Sequence, residues 1–435
     1  MDVKWLVIGG GPAGLTAAYS IDAAMRKVGS QPSVVVLEKR APWPQRRDKR
    51  AQPVSFDSYV LACLERCGLD TSVLRRPEHA LNTLRLTIGD TDHAVLRLLP
   101  EDQRRTGALL KHLPVGHPLA MFTALFLRRA PIASVPCRIA EDVLYRNVKG
   151  AHIEILQAQD TVARLHGDHV SVEFGPPDKR ETITAERLVV ADGANSPTAV
   201  QLGARRPAAK PLHRLAWGLF KNPHPMEPMT RFHRDPLNPY MPEAWVNLIR
   251  DYAGISVVLD WTGERRDKKT ITEQWVHPLV LQAAQTLGVK GKLVKHQLLE
   301  PRLQSSKPLI GNRGERDRVF RIGDSRHSTT PKVGMGLNCG VLGGLRVGDL
   351  AADLERAPNS AAERRALNRF ARHNQAATRM INLLAWAATR GEGKAIPLGD
   401  QPRAHARRRL KRLAGFPPAA WMRLYLPSHR AQGHD

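Results

Sequence analysis

Three glycines near the N-terminus, Gly9, Gly11 and Gly14, stand in the spacing GxGxxG. They directly follow the apolar run Lys4 to Ile8 and directly precede an Ala-rich stretch of helical character that lasts to about Val28. This order leaves few choices of fold. A strand that turns at once into a helix uses Gly9 for the tight turn, Gly11 to keep the backbone bare where a pyrophosphate comes close, and Gly14 to let helix and strand touch. The helix start adds free N–H groups and about half a positive charge. Ser33 to Leu37 reads as the next strand, and Glu38 closes it. A carboxylate there accepts both ribose hydroxyls of an adenosine and repels a 2′-phosphate. The unit is a βαβ fold for an adenine dinucleotide with free ribose hydroxyls, FAD or NAD, with Pro12, Ala13 and Lys39 among its contacting positions.

The rest of the chain must decide between these two. At 435 residues it has length for two or three cores. Its 25% charged and 42% hydrophobic residues are ordinary for a folded globular protein. No apolar run reaches the roughly eighteen residues of a membrane helix, and the first apolar stretch leads into glycines, not a cleavage site. Four scattered cysteines, Cys63, Cys67, Cys137 and Cys339, make no disulfide framework and suit a reducing cytoplasm. Cys63 and Cys67 share a helical face; two small core residues are the favoured reading over a redox pair or half a metal site, and no metal is assigned. The net charge of +25 favours anionic partners without choosing among them. Its densest cluster, Arg403, Arg407, Arg408, Arg409, Lys411 and Arg412, precedes Phe416, Trp421 and Tyr425, a tail suited to weak contact with an anionic membrane surface.

Residues 42 to 53 read as a loop, and Phe56 to Cys67 as a helix that stops at Gly68. Two strands flank a Gly-Asp-Thr-Asp turn between Leu81 and Leu99, and Leu119 to Arg129 reads as a helix. Strands follow in 151 to 175 and at Arg187 to Val190. Prolines and the strand candidates Arg214 to Phe220 and Tyr252 to Trp261 then mark a sheet-based unit. The division expected is 1–80, 105–205 and 311–390 as one discontinuous cofactor domain of Rossmann type. Residues 81–104 lend strands to a substrate domain at 206–310, and 391–435 form a basic extension.

A second turn settles the cofactor. After the strand Val319 to Ile322, the residues Gly323, Asp324, His327, Pro331, Gly334, Gly336 and Asn338 spell GDxxHxxxPxxGxGxN, with Leu337 inside it. A second turn-to-helix junction calls for a second ligand segment. Asp324 suits a ribityl hydroxyl, and the amides near Leu337 and Asn338 suit negative charge on a reduced flavin.

With both glycine motifs in place, the chain resembles the class A flavoprotein monooxygenases, the p-hydroxybenzoate hydroxylase-like aromatic hydroxylases. The similarity in order of elements runs over about residues 1 to 385. The resemblance implies that the first turn holds the FAD pyrophosphate, Glu38 the ribose, Asp324 the ribityl chain, and Pro331 to Asn338 the isoalloxazine. Arg50 matches an arginine that contacts the flavin. A third motif, DGxxSxxR, is kept at Asp192, Gly193 and Ser196, but its arginine position is Ala199. The cation implied for FAD and NAD(P)H binding is therefore missing. Gly343 replaces an Asp of the helix after the second turn, read as a packing change. His327 is implied to be a motif residue without a general catalytic role, and His117 reads as a histidine near a helix start, with a place facing the flavin as the alternative.

The activity implied is hydroxylation or epoxidation of an aromatic or polycyclic small molecule. NADH or NADPH acts as transient donor, and a flavin hydroperoxide delivers one atom of dioxygen. Trp217, Phe220, Phe232, Tyr240, Trp245 and Trp261 supply aromatic surface in the middle segment, most of it expected in the core and some at a pocket. The loop from 223 to 242 is a candidate lid. Competing activities are a halogenase, whose WxWxIP motif is absent, an isoprenoid reductase, an FAD-dependent RNA-associated protein, and a flavoprotein without turnover. No specific nucleic-acid partner is expected, and the expected location is cytoplasmic, with peripheral membrane contact through the tail as the lesser alternative.

Overall fold

The computed structural model describes residues 1–41, 53–81, 83–88, 91–97, 132–151, 153–204, 214–222, 224, 229–234, 243–249, 251–258, 273–300, 317–327 and 336–390. Side chains are described for most of these, and in the last helix up to residue 375.

The opening strand β1 (Asp2–Ile8) is almost wholly buried, as a strand covered on both faces must be. It pairs in parallel with β2 (Val34–Glu38) on one side and with β11 (Glu181–Val190) on the other. β8 (Glu154–Gln157) extends the sheet beyond β2. β17 (Val319–Arg321) joins β11 in parallel, so a strand about 130 residues later in sequence returns to the same sheet. β9 (Val162–Leu165) and β10 (Val170–Phe174) add an antiparallel ribbon on β11.

Helices cover the two faces. On one lie α1 (Pro12–Lys27), which begins with Pro at its first turn, α3 (Cys137–Gly150) and α6 (Gly336–Glu355). Their core includes Trp5, Val7, Leu15, Ile21, Met25, Phe320 and Ile322. The opposite face carries Leu6, Ile8, Leu188, Val190 and Val319 beneath the short α4 (Pro197–Gln201). α6 lies against α1 through glycines repeated every fourth residue. A Cβ at Gly344 would stand 2.7 Å from the Ala17 N, and one at Gly348 would stand 2.6 Å from the Ser20 Cβ. Gly343 faces the other way, its hypothetical Cβ 3.3 Å from the Ile322 Cβ, which agrees with a packing change there. The long α7 (Ser360–Arg390) closes over Phe320 with Phe370.

A second sheet runs in the order β16 (Lys292–Leu299), β12 (Leu215–Lys221), β15 (Tyr252–Val258), β14 (Glu243–Ile249), β13 (Met229–Arg234), β5 (Thr83–Ile88), β6 (Thr91–Arg97). All its pairings are antiparallel except the one between β13 and β5. α5 (Glu273–Thr286) covers one face with Val276, Val280 and Ala283 against Ala216, Phe220, Val246 and Ile255. A small sheet of β3 (Pro53–Asp57), β7 (Ile132–Pro136) and β4 (Ala80–Leu81) meets the other face, where a Cβ on Gly254 would lie 2.8 Å from the Pro53 Cδ.

One boundary moves. Phe56 and Asp57 belong to β3, and the helix α2 (Ser58–Arg66) starts only after them. Phe56 is fully buried opposite Ala133 of β7, so a long-range pairing overrides its helical spacing. The helix does end at Gly68, which takes a φ of +91°. Cys63 is buried in the main core and Cys67 half-buried beside it, both as free thiols. Among the described residues no helix is long and apolar enough to cross a membrane.

Candidate functional site

The glycines of the first turn divide into two kinds. A Cβ on Gly9, whose φ is +107°, would lie 2.4 Å from the Ala191 O, and one on Gly14 would lie 1.8 Å from the Gly9 O. Those two positions are filled by the protein itself. Gly11, the N-cap of α1, has an extended backbone at φ −82° and ψ 179°, and a Cβ there would meet nothing within 4 Å among the described residues. The space before Gly11 is bare backbone at a helix N-terminus, the cradle a pyrophosphate requires. Pro12 and Ala13 follow at half-buried positions.

Glu38 is buried at the end of β2. Its Oε2 accepts from the Gly10 N at 2.7 Å, and its Oε1 accepts from the Arg40 N and Nε, each at 2.9 Å. Arg40 also donates to Glu141 of α3 at 3.2 Å. Burial works against the Arg40 charge, but Glu38 and Glu141 outweigh it, and its pKa is raised. A fixed carboxylate thus sits beside the first turn with its oxygens already oriented, Oε2 also accepting from the Arg40 Nη2 at 3.0 Å, so that a ribose hydroxyl must share or displace an Arg40 donor. Lys39 points to solvent.

The Ala191–Gly193 turn rests directly on Gly9 and Gly14, the Ala191 N donating to the Ile8 O at 2.8 Å. Asp192 Oδ2 accepts from the Thr198 N at 3.2 Å and Ser196 Oγ from the Ala199 N at 3.0 Å, so both cap α4. The Ala199 side chain is buried in the apolar layer with Leu202 and Val319.

The second motif is brought to the first. A Cβ on Gly323, at φ +57°, would lie 2.9 Å from the Ala13 Cβ, and one on Gly340 would lie 3.3 Å from the same atom. The Asp324 side chain is exposed, yet the protein around it raises its carboxyl to about 6 by desolvation. Gly336 opens α6, and Leu337 packs on the main core. The Asn338 side chain ties α6 to β3, with Oδ1 accepting from the Asp57 N at 3.1 Å and Nδ2 donating to the Ser55 O at 3.0 Å. His327 is buried, and among the described residues neither ring nitrogen has a hydrogen-bond partner. Burial, then Arg326, Arg346 and Arg321, lower its pKa to about 3, so the ring is neutral near pH 7 and not an imidazolium acid.

In the second sheet the aromatic candidates part company. Phe220 faces α5 within the core, whereas Trp217 and Trp245 lie buried in small apolar clusters with Leu215, Leu219 and Leu299. Those residues alternate with the ones beneath α5, so they belong to the face that meets the small sheet. Arg50, His117, the segment 119–129, Tyr240, Trp261, Pro331, Gly334 and the basic tail lie outside the described residues, as do the Phe232 side chain and most of the 223–242 loop.

Sequence reasoning missed three charged residues at the site: Arg40, Glu141 and Arg321. Arg40 follows Glu38 almost directly, and Arg321 is a cation inside an otherwise apolar strand; both were visible signals. Glu141 had none, since only the fold brings α3 to β2.

Comparison with known proteins agrees with this geometry. A family model described as FAD binding domain matches residues 2–379. No curated protein matches the sequence. Among solved structures, p-nitrophenol 4-monooxygenase PnpA from Pseudomonas putida DLL-E4 is 17% identical, with 97% of this chain and 96% of that one covered at a TM-score of 0.68. Aklavinone-11 hydroxylase, solved with FAD and aklavinone, is 19% identical over 90% of this chain and 68% of its own, at 0.64. The flavin-dependent halogenase CmlS is 15% identical over 94% and 70%, also at 0.64. At these identities the likeness shows a shared fold.

Proposed function

Because the chain belongs to the FAD binding domain family, and so is an FAD-dependent oxidoreductase with the fold of the class A flavoprotein monooxygenases, we propose that it hydroxylates or epoxidises an aromatic or polycyclic small molecule. The co-substrates are dioxygen and NADH or NADPH. The observation that carries this reading is the meeting of three turns, at Gly9 to Gly14, Ala191 to Gly193 and Gly323 to Asp324, at the carboxyl ends of adjacent parallel strands. FAD, when bound, supplies the redox chemistry, accepting a hydride and activating dioxygen.

The protein's part is to bind, orient and keep dry. The bare amides at Gly11 and the positive end of α1 take the pyrophosphate. Glu38, held by Gly10 and Arg40, presents its carboxylate to the ribose, and Asp324 accepts from the ribityl chain across the contact of Gly323 with Ala13. Leu337 and the first amides of α6 face the ring end. Trp217 and Trp245, with the buried Ser256 strand-paired to both, offer an apolar wall with one hydroxyl toward a flat substrate. No side chain of this set serves as nucleophile or general base, and His327, kept neutral, holds the turn by its bulk.

Anaerobic mixing of the FAD-loaded chain with NADH or NADPH, alone and with flat aromatic acids and polycyclic quinones, tests the reading. Bleaching of the flavin with one donor, faster with a substrate present, is expected. Persistent yellow colour under all these conditions overturns it. Product analysis with chloride or bromide present separates hydroxylation from halogenation.

A further inference from the structure

Away from the flavin edge, one surface carries charge that the protein itself does not neutralise. The helix α7 holds six arginines and a single acid, Glu363. Its roll about its own axis is fixed by the core. Ala366 and Asn374 are buried, Phe370 packs edge-on to Phe320 with ring centroids 5.4 Å apart, and the Asn374 Nδ2 donates to the Arg321 O at 3.2 Å. These positions recur at i, i+4 and i+8, so the opposite side of the helix faces outward. There stand Arg365, Arg369 and Arg372, at i, i+4 and i+7, with Arg364 at their flank, and all four are exposed. Exposed Ala361, Asn368 and Ala371 lie between them, and no large apolar side chain interrupts the row among the described residues.

The acids near this side are already engaged. Glu363 accepts from the Arg187 Nη2 of β11 at 2.8 Å, Glu355 at the end of α6 pairs with Lys4 at 2.5 Å, and Asp353 pairs with Arg369 at 3.2 Å. Arg372 makes a backbone bond, its Nε donating to the Asn368 O at 3.3 Å, and among the described residues Arg364 and Arg365 face no carboxylate. Other exposed arginines differ: Arg26 faces Asp22 at 2.9 Å, Arg146 faces Asp142 at 2.7 Å, and Arg164 faces Glu173. A guanidinium keeps its charge at any ordinary pH, so the ridge is a permanent row of cations. Helical rise makes the step from 365 to 372 about 10 Å. The same period returns positions 379 and 390, both arginine, to this side of the helix, the last about 37 Å from 365.

We propose that this ridge of α7 is a docking surface for an anionic lipid bilayer, held to the phospholipid headgroups by charge without inserting among the acyl chains. A straight row of cations suits a plane of negative charge. The phosphates of a duplex nucleic acid suit it less, because over a row of this length they wind through about one full helical turn of roughly 34–36 Å. The chain beyond the helix points the same way. From 391 onward it carries Arg403, Arg407, Arg408, Arg409, Lys411 and Arg412 and then Phe416, Trp421 and Tyr425, the basic and then aromatic order of a segment at a lipid interface. The ridge is remote in argument from the flavin site, so failure to bind FAD and failure to bind lipid are separate results.

Co-sedimentation of the full-length protein with vesicles tests the proposal, using phosphatidylcholine alone and phosphatidylcholine mixed with phosphatidylglycerol. Binding is expected to the mixed vesicles only, and high salt should abolish it. A basic residue at an anionic leaflet contributes about fivefold, so Arg364→Gln, Arg365→Gln and Arg372→Gln together should weaken partitioning about a hundredfold. Lysine at the same three positions should stay within about threefold of wild type, because the bilayer reads charge and not the guanidinium fork. Arg76→Gln, Arg146→Gln and Arg164→Gln remove equal charge from paired sites elsewhere and should together stay within about threefold. Equal binding to neutral vesicles overturns the inference, as does a glutamine ridge that binds like wild type. So does a lysine ridge as weak as the glutamine one, or a control that falls as far. A duplex oligonucleotide bound more tightly per phosphate than the mixed vesicles, and lost in the glutamine variant, overturns it too and gives the ridge to a nucleic acid. Should the triple glutamine variant not fold, Arg365→Gln alone decides by its expected loss of about fivefold.

Discussion

Gly11→Ala should separate what the first turn does for the fold from what it does for a ligand. The added methyl would meet no atom of the described residues within 4 Å, and φ −82° with ψ 179° is open to any residue. Alanine is a poorer N-cap than glycine but narrows the unfolded ensemble, and the two effects leave the apo stability within about 1 kcal/mol of wild type. For FAD the same methyl stands between the amides and the pyrophosphate. Lengthening one hydrogen bond to a charged phosphate loses about 1.5–3 kcal/mol, roughly ten- to a hundredfold in Kd. Gly14→Ala is the converse, because its methyl would overlap the Gly9 O at 1.8 Å and the turn itself must move. Thermal unfolding of the apo forms followed by circular dichroism, and FAD titration followed by quenching of flavin fluorescence, measure both sides. A Gly11→Ala protein that binds FAD as tightly as wild type refutes the assignment of that space to a ligand, and a Gly14→Ala protein of undiminished stability refutes the packing argument.

Gly344→Ala gains up to about 1 kcal/mol of helix propensity but forces a methyl to 2.7 Å from the Ala17 N, so overpacking of about 1–3 kcal/mol should win and lower the Tm; a raised Tm contradicts the close approach of α6 to α1. The folded state keeps His327 neutral down to about pH 3 while the unfolded chain takes a proton below about 6.5, so this group's contribution is complete above 6.5 and is lost as pH falls toward 3. Denaturant melts at pH 7 and pH 5 should therefore show about 2 kcal/mol of lost stability that His327→Leu does not show; an unchanged pH dependence in that variant rejects the buried neutral histidine. Burial raises the Cys63 thiol and pushes Cys67 up to about 11, so native protein should react with a thiol reagent at pH 7 far more slowly than unfolded protein, and fast native labelling of both excludes the core reading.

The site was legible where residue type alone carries the physics. A glycine that must bend and a glycine that must stay bare leave the same letter, and Gly9, Gly11 and Gly14 could be placed from spacing because strand, turn and helix follow without a gap. Phe56 was misplaced because its partner, Ala133, lies far along the chain, and no local pattern announces a strand of a three-stranded sheet. Glycines 340, 344 and 348 read as helix weakeners until a second helix is laid across them. Among the aromatics, period-2 alternation could sort Trp217 from Phe220, but only the covering by α5 says which side is core. The ties of Asn338 to β3 and of Glu38 to Arg40 depend on contacts across 281 residues and across two, and even the nearer is hidden in sequence because an acid at a strand end is a complete ribose ligand without its arginine.

The account turns on one flavin held between the first and second glycine turns, and equilibrium binding of FAD to the recombinant full-length chain measures that directly. One FAD per chain, a flavin spectrum shifted from that of free FAD, and competition by ADP but not by 2′-phospho-ADP at the Glu38 end are the predicted result. A chain that is folded by circular dichroism yet stays colourless after dialysis against excess FAD contradicts it.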